Sequence, residues 1–151
     1  CVPCGCAFHP VTADNAKTAD GASISLQGDG SISCNGSEAG YGEYTVTYKI
    51  TPDSDMTVGL YIRTTSQRVD NLLKDMYGVK VNGADVTVDD SILMPYNDKD
   101  MWNDIRYTYV GEVELTGGEE NTIEIVRYSR DELTGNLKEF TGYNFFGIAL
   151  S

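Results

Sequence analysis

The sequence has few cations, one histidine and no long apolar run. Its 11 lysine and arginine residues stand against 23 aspartate and glutamate residues, which gives a net charge of −12. Nucleic acid and anionic membranes bind cationic protein surface, so neither is expected as a partner. No stretch approaches the roughly 20 apolar residues of a membrane-spanning helix, so membrane insertion is not expected. A strongly acidic chain suits neutral ligands, or cations such as Ca²⁺.

Signals of catalysis are also scarce. The single histidine, His9, lies near the start of the chain, and no Ser/His/Asp set can be assembled around it. Carboxylates are plentiful, but glycoside hydrolysis needs two of them at a fixed separation in a cleft. A domain of 151 residues with polar loops at one edge seldom builds that cleft. We therefore expect the chain not to be an enzyme.

The cysteines are concentrated at the start, as Cys1, Cys4, Cys6 and Cys34. With His9, the first three form C-x2-C-x-C-x2-H, whose thiolates and imidazole are zinc ligands. The spacing is not that of a usual zinc finger, and disulfides or free thiols are the other readings. Cys1 as the lipidated first residue of a mature bacterial lipoprotein is a further reading. Without an initiator Met or a signal peptide, the chain is expected to be processed or excised from something longer.

Apolar residues recur with a period of two along most of the chain. YTVTYKI alternates apolar residues with Thr and Lys, which is the pattern of a half-buried strand. In MTVGLYIRTT, Val58, Leu60 and Ile62 are predicted to face inward, with Tyr61 and Arg63 outward. NTIEIVRYS and NFFGIAL read as further strands.

Turn signals separate other short strands. Asn82-Gly83 in GVKVNGADVTV is the strongest short-range hairpin signal. ASISL and SISC predict two short strands around Gly28-Asp29-Gly30, and YTYVGEVEL places Tyr109 inward with the later valine and leucine. Only QRVDNLLKDMY, residues 67–77, has a helical spacing, and it predicts one or two turns.

About nine short strands with polar turns predict an all-β fold, an antiparallel β-sandwich or jelly roll. The length favours one domain, with residues 1–20 as a Cys-rich N-terminal tail and residues 21–151 as the sandwich. Two long stretches without strand pattern cover residues 89–106 and 129–143. Long irregular loops on a rigid sandwich usually carry function, so binding is expected there.

Several short motifs occur in a defined order between residues 41 and 151. They are a Gly-x-Tyr strand, a Val-Asn-Gly strand end, a tryptophan-bearing loop, a strand pair around a Gly turn, and a closing strand that Asn opens. The residues are Gly42, Tyr44, Val81-Asn82-Gly83, Trp102, Val113, Leu115, Gly118, Asn121, Ile123, Ile125 and Asn144. This ordered set resembles the family 35 and family 6 carbohydrate-binding modules and their galactose-binding-like relatives.

The resemblance implies a sugar-binding module within a larger multidomain protein that is secreted or on the cell surface. Modules of this type bind through loops at one edge of the sandwich. One or two aromatic rings stack on the sugar there, and the Asn before the last strand hydrogen-bonds hydroxyl groups. Carried onto this chain, the pattern nominates Trp102 and Asn144.

Calcium binding is considered separately from sugar binding. Modules of this type usually open with a Glu-Ala-Glu strand whose carboxylates bind a structural calcium. Here ASISLQGD offers only Asp29, and Phe146 stands where the closing strand usually has an aspartate ligand. Asp98, Asp100 and Asp104 form an acidic stretch without the Gly and Glu of an EF-hand. No metal ligand is assigned, and Ca²⁺ stays an open alternative to solvated acidic loops.

Sugar recognition defines the remaining candidates. A pyranose presents an apolar C–H face and a rim of hydroxyl groups, so an aromatic ring covers the face while amides or carboxylates bind the rim. Trp102, the only tryptophan, is either such a platform or a buried loop anchor. The weaker candidates are Tyr96, Tyr143 and Tyr61 as platforms, Asn103 and Asp104 as hydroxyl ligands, and Arg63 as a clamp for an acidic sugar.

The sequence therefore favours a non-catalytic module that targets a glycan-active protein to its polysaccharide. The alternative is a structural or adhesive β-sandwich domain of a bacterial surface protein that has no sugar site.

Overall fold

Two antiparallel sheets make up the computed structural model, which describes residues 7–18, 20–32, 43–65, 72–93, 105–127 and 144–151. Nine strands and one helical turn lie in these ranges. They are β1 (Ala7–Pro10), β2 (Ala16–Thr18), β3 (Tyr44–Ile50), β4 (Met56–Thr65), α1 (Leu73–Met76), β5 (Tyr77–Val81), β6 (Ala84–Val86), β7 (Ile105–Leu115), β8 (Asn121–Arg127) and β9 (Phe145–Leu150).

The strand order is β1-β9-β4-β7 in the four-stranded sheet and β2-β3-β8-β5-β6 in the five-stranded sheet. Every pair is antiparallel. The inner faces of the two sheets bury one continuous apolar cluster. The prediction of an all-β antiparallel sandwich with about nine strands is confirmed.

Alternation explains which side chains enter the core. Along β4, Val58, Leu60 and Ile62 are buried, whereas Tyr61 and Arg63 are only partly buried and lie on the other face. Successive side chains of a strand point to opposite faces, so one face of β4 meets the core and the other meets solvent. The inward and outward assignments made for this strand are confirmed.

The Asn82-Gly83 hairpin is also confirmed. Val81 pairs with Ala84, and the two residues between them have φ values of 51° and 82°. Left-handed conformations at both central positions define a type I′ turn, which Asn and Gly adopt most easily. The Asn82 side chain accepts a hydrogen bond from the Thr122 amide at 2.8 Å, which ties the hairpin to β8.

Strand β7 departs from the predicted alternation. Leu60 of β4 pairs with Gly111, but the next residue, Tyr61, pairs with Tyr109, so Val110 is the extra residue of a β-bulge. Because of the extra residue, a period of two that is counted from one side of a bulge places the side chains on the other side of it on the wrong face. Val110 is consequently buried and Tyr109 is 48% exposed. The prediction that Tyr109 faces inward is wrong because of this bulge.

Residues near the start of the chain are part of the sandwich. Strand β1 pairs with β9 and β2 pairs with β3, so each sheet takes one strand from the range assigned to a tail. Val11 and Ala16 are buried in the core. The sandwich therefore includes residues from Ala7 onward.

Two local predictions have different outcomes. Within residues 20–32 the chain makes only isolated bridges, Lys17 to Ser23 and Ile32 to Phe145, so the strand predicted over ASISL is wrong. The second predicted strand, SISC, lies only half inside the described ranges, and its Ile32 forms one of these bridges. A reverse turn lies at Gly28-Asp29-Gly30, with the Gly30 amide donating to the Gln27 carbonyl. The predicted helical turns are seen as α1, a single turn, and residues 66–71 lie outside the described ranges.

Candidate functional site

The ends of six strands, β3, β4, β5, β7, β8 and β9, meet at one edge of the sandwich. Tyr44, the first residue of β3, pairs with Arg127, the last residue of β8. Tyr77, the first residue of β5, also pairs with Arg127. Thr65, the last residue of β4, pairs with Ile105, the first residue of β7. We call this side the loop edge, because the two long stretches without strand pattern in the sequence, residues 89–106 and 129–143, lead into β7 and β9, which begin there.

Asn144 lies at the loop edge and is held by backbone hydrogen bonds to the end of β4. Its amide donates to Thr65 Oγ1 at 3.1 Å, and its carbonyl oxygen accepts from the Thr65 amide at 3.2 Å. The residue is 9% exposed. Neither bond uses the Asn144 side-chain amide, so the backbone is fixed independently of that group.

Five of the predicted ligand residues lie outside the described ranges. They are Tyr96, Trp102, Asn103, Asp104 and Tyr143. In the sequence, Trp102 precedes the first residue of β7 by three positions, and Tyr143 directly precedes Asn144. Both are therefore attached to strands that begin at the loop edge.

A buried arginine lies beneath this edge, and the sequence predictions did not single it out. Arg127 is 1% exposed, and its Cζ atom is 5.8 Å from the centre of the Tyr77 ring. The hydroxyl oxygens of Tyr44 and Tyr77 are 3.4 Å apart, and Phe145 makes ring contacts with both tyrosines. The signal available in the sequence was a cation at a position of NTIEIVR whose side chain faces the core. Because buried charges are almost always paired, a cation at such a position indicates an interaction partner.

The other two described candidates, Tyr61 and Arg63, do not lie at the loop edge. They lie on the outward face of the four-stranded sheet. Tyr61 pairs across the strands with Tyr109, and their ring centres are 5.1 Å apart with an angle of 54° between the planes. Tyr109 is the more exposed of the two.

Arg63 is surrounded by aromatic rings from three neighbouring strands. Its Cζ atom is 5.1 Å from the ring centre of Phe8 and 5.5 Å from those of Tyr107 and Phe146. Phe8 and Tyr107 also contact each other edge to face. Cation–π contacts of this kind stabilise a guanidinium. We call the set Phe8, Tyr61, Arg63, Tyr107 and Tyr109 the aromatic face.

The described residues contain no cluster of three or more His, Cys, Asp or Glu side chains placed to hold a metal ion. The Asp29 carboxylate instead accepts hydrogen bonds from the amide and hydroxyl of Ser31. Asp89 accepts the same pair from Ser91, and these bonds lower the pKa of Asp89. Both carboxylates are thus engaged in stabilising turns. The Asp98–Asp104 stretch and all four cysteines lie outside those ranges.

A groove of about 520 Å³ opens on the flank where β1 faces β3. It is lined by His9, Pro10, Thr12, Asp14, Asn15, Lys17, Thr47, Tyr48 and Lys49. The His9 and Tyr48 ring centres are 6.3 Å apart. Burial lowers the pKa of His9 and raises that of Tyr48, because each charged form is less well solvated there.

Comparison with known proteins defines the class of fold. No protein-family model and no curated protein matches the chain. A family 35 module from Paenibacillus barcinonensis is 14% identical, with 98% of this chain and 93% of that chain covered and a TM-score of 0.53. A Podospora anserina GH26-CBM35 β-(1,4)-mannanase is 19% identical, with 97% of this chain covered and a TM-score of 0.54. The Cry4Aa toxin of Bacillus thuringiensis is 12% identical, with 96% covered and a TM-score of 0.54.

The chain therefore has the fold of the family 35 carbohydrate-binding modules. It spans 27% of the mannanase and 23% of the toxin, so in both proteins the fold accounts for about a quarter of the chain. In the described part of this chain, no helix has the length and apolarity needed to cross a bilayer.

Proposed function

We propose that this chain is a non-catalytic carbohydrate-binding module that binds a glycan at the loop edge. The observation that carries the proposal is the position of Asn144. This residue is fixed beside Thr65, at the edge where the strand that follows Trp102 begins. The resemblance in motif order and the family 35 fold both support sugar as the ligand.

The chemistry of these side chains suits a sugar. The Trp102 indole covers the C–H face of a pyranose, while the Asn144 amide binds hydroxyl groups, with Tyr96, Tyr143 and the pair Asn103 and Asp104 as further contacts. An aromatic contact contributes about 0.5–1.5 kcal/mol beyond area burial, and each net hydrogen bond adds about 1 kcal/mol. One platform with three or four such bonds gives an affinity of roughly micromolar to millimolar.

Weak binding is useful when the module is tethered to a second domain. Holding a catalytic domain near its polysaccharide raises the effective substrate concentration without any new catalytic group. The mannanase with the same fold in about a quarter of its chain is an arrangement of this kind. The proposal accordingly includes a glycan-active partner domain and a secreted or cell-surface location.

The test uses variants that separate the ligand groups from the fold. Asn144→Ala removes only the side-chain amide, because Asn144 makes both hydrogen bonds to Thr65 through its own backbone atoms. We expect it to weaken binding roughly 5-fold, as for one lost net hydrogen bond. Trp102→Ala should abolish binding, while Asp53→Ala, near the opposite edge, should change nothing. Isothermal titration against xylan, galactan, mannan and polygalacturonate, with and without calcium, measures each affinity.

Tryptophan fluorescence provides a second readout, because Trp102 is the only tryptophan. A red-shifted emission that responds to glycan is expected for a platform. Emission that is blue-shifted and protected from quenchers, together with a collapse of the melting temperature in Trp102→Ala, would identify a buried anchor. Absence of glycan binding by the unsubstituted chain would favour the structural or adhesive alternative.

A further inference from the structure

We propose that Asn82 is a modification site, which loses its side-chain amide by spontaneous deamidation when the Gly83 nitrogen attacks it, and that the fold slows this reaction. The site lies in the hairpin between β5 and β6, at the edge of the sandwich opposite the loop edge. It does not depend on the proposed glycan function.

The turn itself supplies the reactive pair. A two-residue hairpin of this type needs positive φ at both central positions, and Gly83 meets that need with a φ of 82°. A glycine nitrogen is also the least hindered nucleophile of the backbone, since no Cβ shields it. Among the described residues other than its two chain neighbours, no atom lies within 4 Å of the place that a Cβ of Gly83 would take. The residues that make the turn are therefore the residues that react.

The reaction is an intramolecular substitution that needs only water. The Gly83 backbone nitrogen loses its proton and forms a bond to Cγ of Asn82, and the Asn82 side-chain nitrogen leaves as ammonia. Water then adds to either carbonyl of the resulting cyclic imide and opens the ring. Opening at one carbonyl gives aspartate, and opening at the other gives isoaspartate, in which the main chain runs through the side-chain carboxyl.

Hydrogen bonds to β8 keep the Asn82 side chain away from this reaction. Its Oδ1 accepts from the Thr122 amide at 2.8 Å, and its Nδ2 donates to Asn121 Oδ1 at 3.1 Å. The Asn82 backbone amide also donates to the Thr122 carbonyl at 2.8 Å. Both polar atoms on Cγ are thus bound to β8, and they must leave these partners before Cγ can bond to the Gly83 nitrogen.

The hairpin lies where the sheet opens most easily. Strand β6 has three residues and is the last strand in the order β2-β3-β8-β5-β6. Ala84 and Asp85 are exposed and Val86 is only partly buried, so little apolar surface anchors β6. Segments with few buried contacts open at a free energy well below that of global unfolding. Reaction at Asn82 therefore follows opening of the hairpin and does not require unfolding of the sandwich.

Neither product restores the original contacts. A carboxylate in place of the Asn82 amide sets an acceptor against Asn121 Oδ1, and Asn121 is unable to turn its amide because its Nδ2 donates to three backbone carbonyls. Isoaspartate lengthens the backbone of a turn that has two residues between Val81 and Ala84. Modification thus makes opening of the hairpin irreversible and weakens the protein with age.

Peptide mapping by mass spectrometry, after incubation in mildly alkaline buffer, measures the reaction. A methyltransferase specific for isoaspartate provides a second readout. In urea, Asn82 should react about as fast as Asn35, which begins the second Asn-Gly pair of the sequence. In the folded chain, Asn82 should react roughly 10- to 30-fold more slowly than in urea, as for two net hydrogen bonds that must break first.

Variants separate the bonds to β8 from general stability. Asn121→Ala removes the partner of Asn82 Nδ2 and should speed the reaction in the folded chain about 5-fold. Val113→Ala is the matched control, because it lowers stability from the core side of the other sheet. Asn82→Asp, which carries the charge of one product, should lower the melting temperature. Ser25→Asp adds the same charge at an exposed residue and should not.

Each outcome bears on one part of the proposal. An Asn82 that stays intact in urea while Asn35 reacts overturns the modification site. Equal rates at Asn82 in the folded and the urea-treated chain overturn the slowing by the fold. Equal acceleration by Asn121→Ala and Val113→Ala, compared at equal loss of stability, overturns the role of the bonds to β8. If Asn121→Ala does not fold, the comparison of the unsubstituted chain with and without urea decides whether the fold slows the reaction.

Discussion

His9 shows how one residue links local packing to a measurable property. Its ring faces Tyr48 across the sandwich flank, in a groove that also contains Asp14, Lys17 and Lys49. Burial lowers the pKa of His9 in the folded state below the value of 6.5 of a solvated histidine. The unfolded chain therefore takes up the proton at a higher pH than the folded chain does.

We predict that His9 reduces stability in acid. As the pH falls below about 6.5, the unfolded state binds more protons at this site, so the free energy of unfolding decreases. His9→Gln, which cannot titrate, should lose less stability than the unsubstituted chain between pH 8 and pH 5. Urea unfolding at each pH measures the difference. Parallel pH profiles for the two proteins would show that His9 titrates alike in both states.

The candidate residues were predictable to different degrees. The outward positions of Tyr61 and Arg63 followed from the alternation along β4. Their surroundings did not, because Phe8, Tyr107 and Phe146 come from strands that are distant in the sequence. The role of Trp102 stays a prediction, and the position of Asn144 at the loop edge supports it.

Strand β7 shows why single elements are hard to derive from pattern alone. The bulge at Val110 needs only one extra residue, and Gly111 beside it has a φ of 147°, which a residue with a Cβ rarely adopts. Period-two reasoning counts through such a bulge and assigns the residues on one side of it to the wrong face. The bulge turns Tyr109 outward, where its ring lies beside that of Tyr61.

The turn before β8 is the element whose stability is most closely tied to one side chain. Asn121 is 1% exposed, and its Nδ2 donates to the carbonyl oxygens of Ile50, Thr116 and Glu119. Its Oδ1 accepts from the Thr116 amide and from Asn82 Nδ2. The side chain thus joins the β7–β8 turn to the end of β3 and to the Asn82-Gly83 hairpin.

Asn121→Ala should lower the free energy of unfolding by about 1–3 kcal/mol, because it leaves buried backbone groups without partners. Chemical denaturation monitored by circular dichroism measures the loss. Glu119→Ala is the matched control, since the carbonyl that binds Asn121 is retained while an exposed carboxylate is removed. Equal stability of the two variants would contradict the role given to Asn121. Glycan affinity should persist in both variants, because this turn is at the edge opposite Asn144.

At the scale of the whole molecule, charge repulsion is the dominant electrostatic feature. The net charge is −12, and the Lys49–Glu120 ion pair, at 4.0 Å, has both side chains largely exposed. An exposed pair of this kind contributes little.

We predict that moderate salt stabilises the folded protein. Raising NaCl from 10 mM to 150 mM shortens the Debye length from about 30 Å to about 8 Å and weakens the repulsion between carboxylates. The melting temperature should rise over this range, and binding to a neutral polysaccharide should change little. Differential scanning calorimetry and calorimetric titration at the two salt concentrations provide the measurement. A melting temperature that falls with salt would mean that attractive ion pairs outweigh the repulsion.

Local pattern was sufficient to define the class of fold. Alternating apolar residues and turn signals such as Asn82-Gly83 act over a few neighbouring residues, so they can be read directly from the sequence. They determined that the chain forms strands, that these strands bury one face, and that the result is an antiparallel sandwich. The negative charge, and the expectation of a partner that is not a polyanion, came from composition alone.

Only the tertiary structure decided which side chains meet. The β1 and β2 strands, the outward turn of Tyr109 and the rings around Arg63 all depend on pairing between segments that are far apart in the sequence. Strand register sets these contacts, and a shift of one residue reverses the face on which every side chain lies. The loop edge arises for the same reason, because antiparallel pairing brings strand ends from distant parts of the chain to one side of the sandwich.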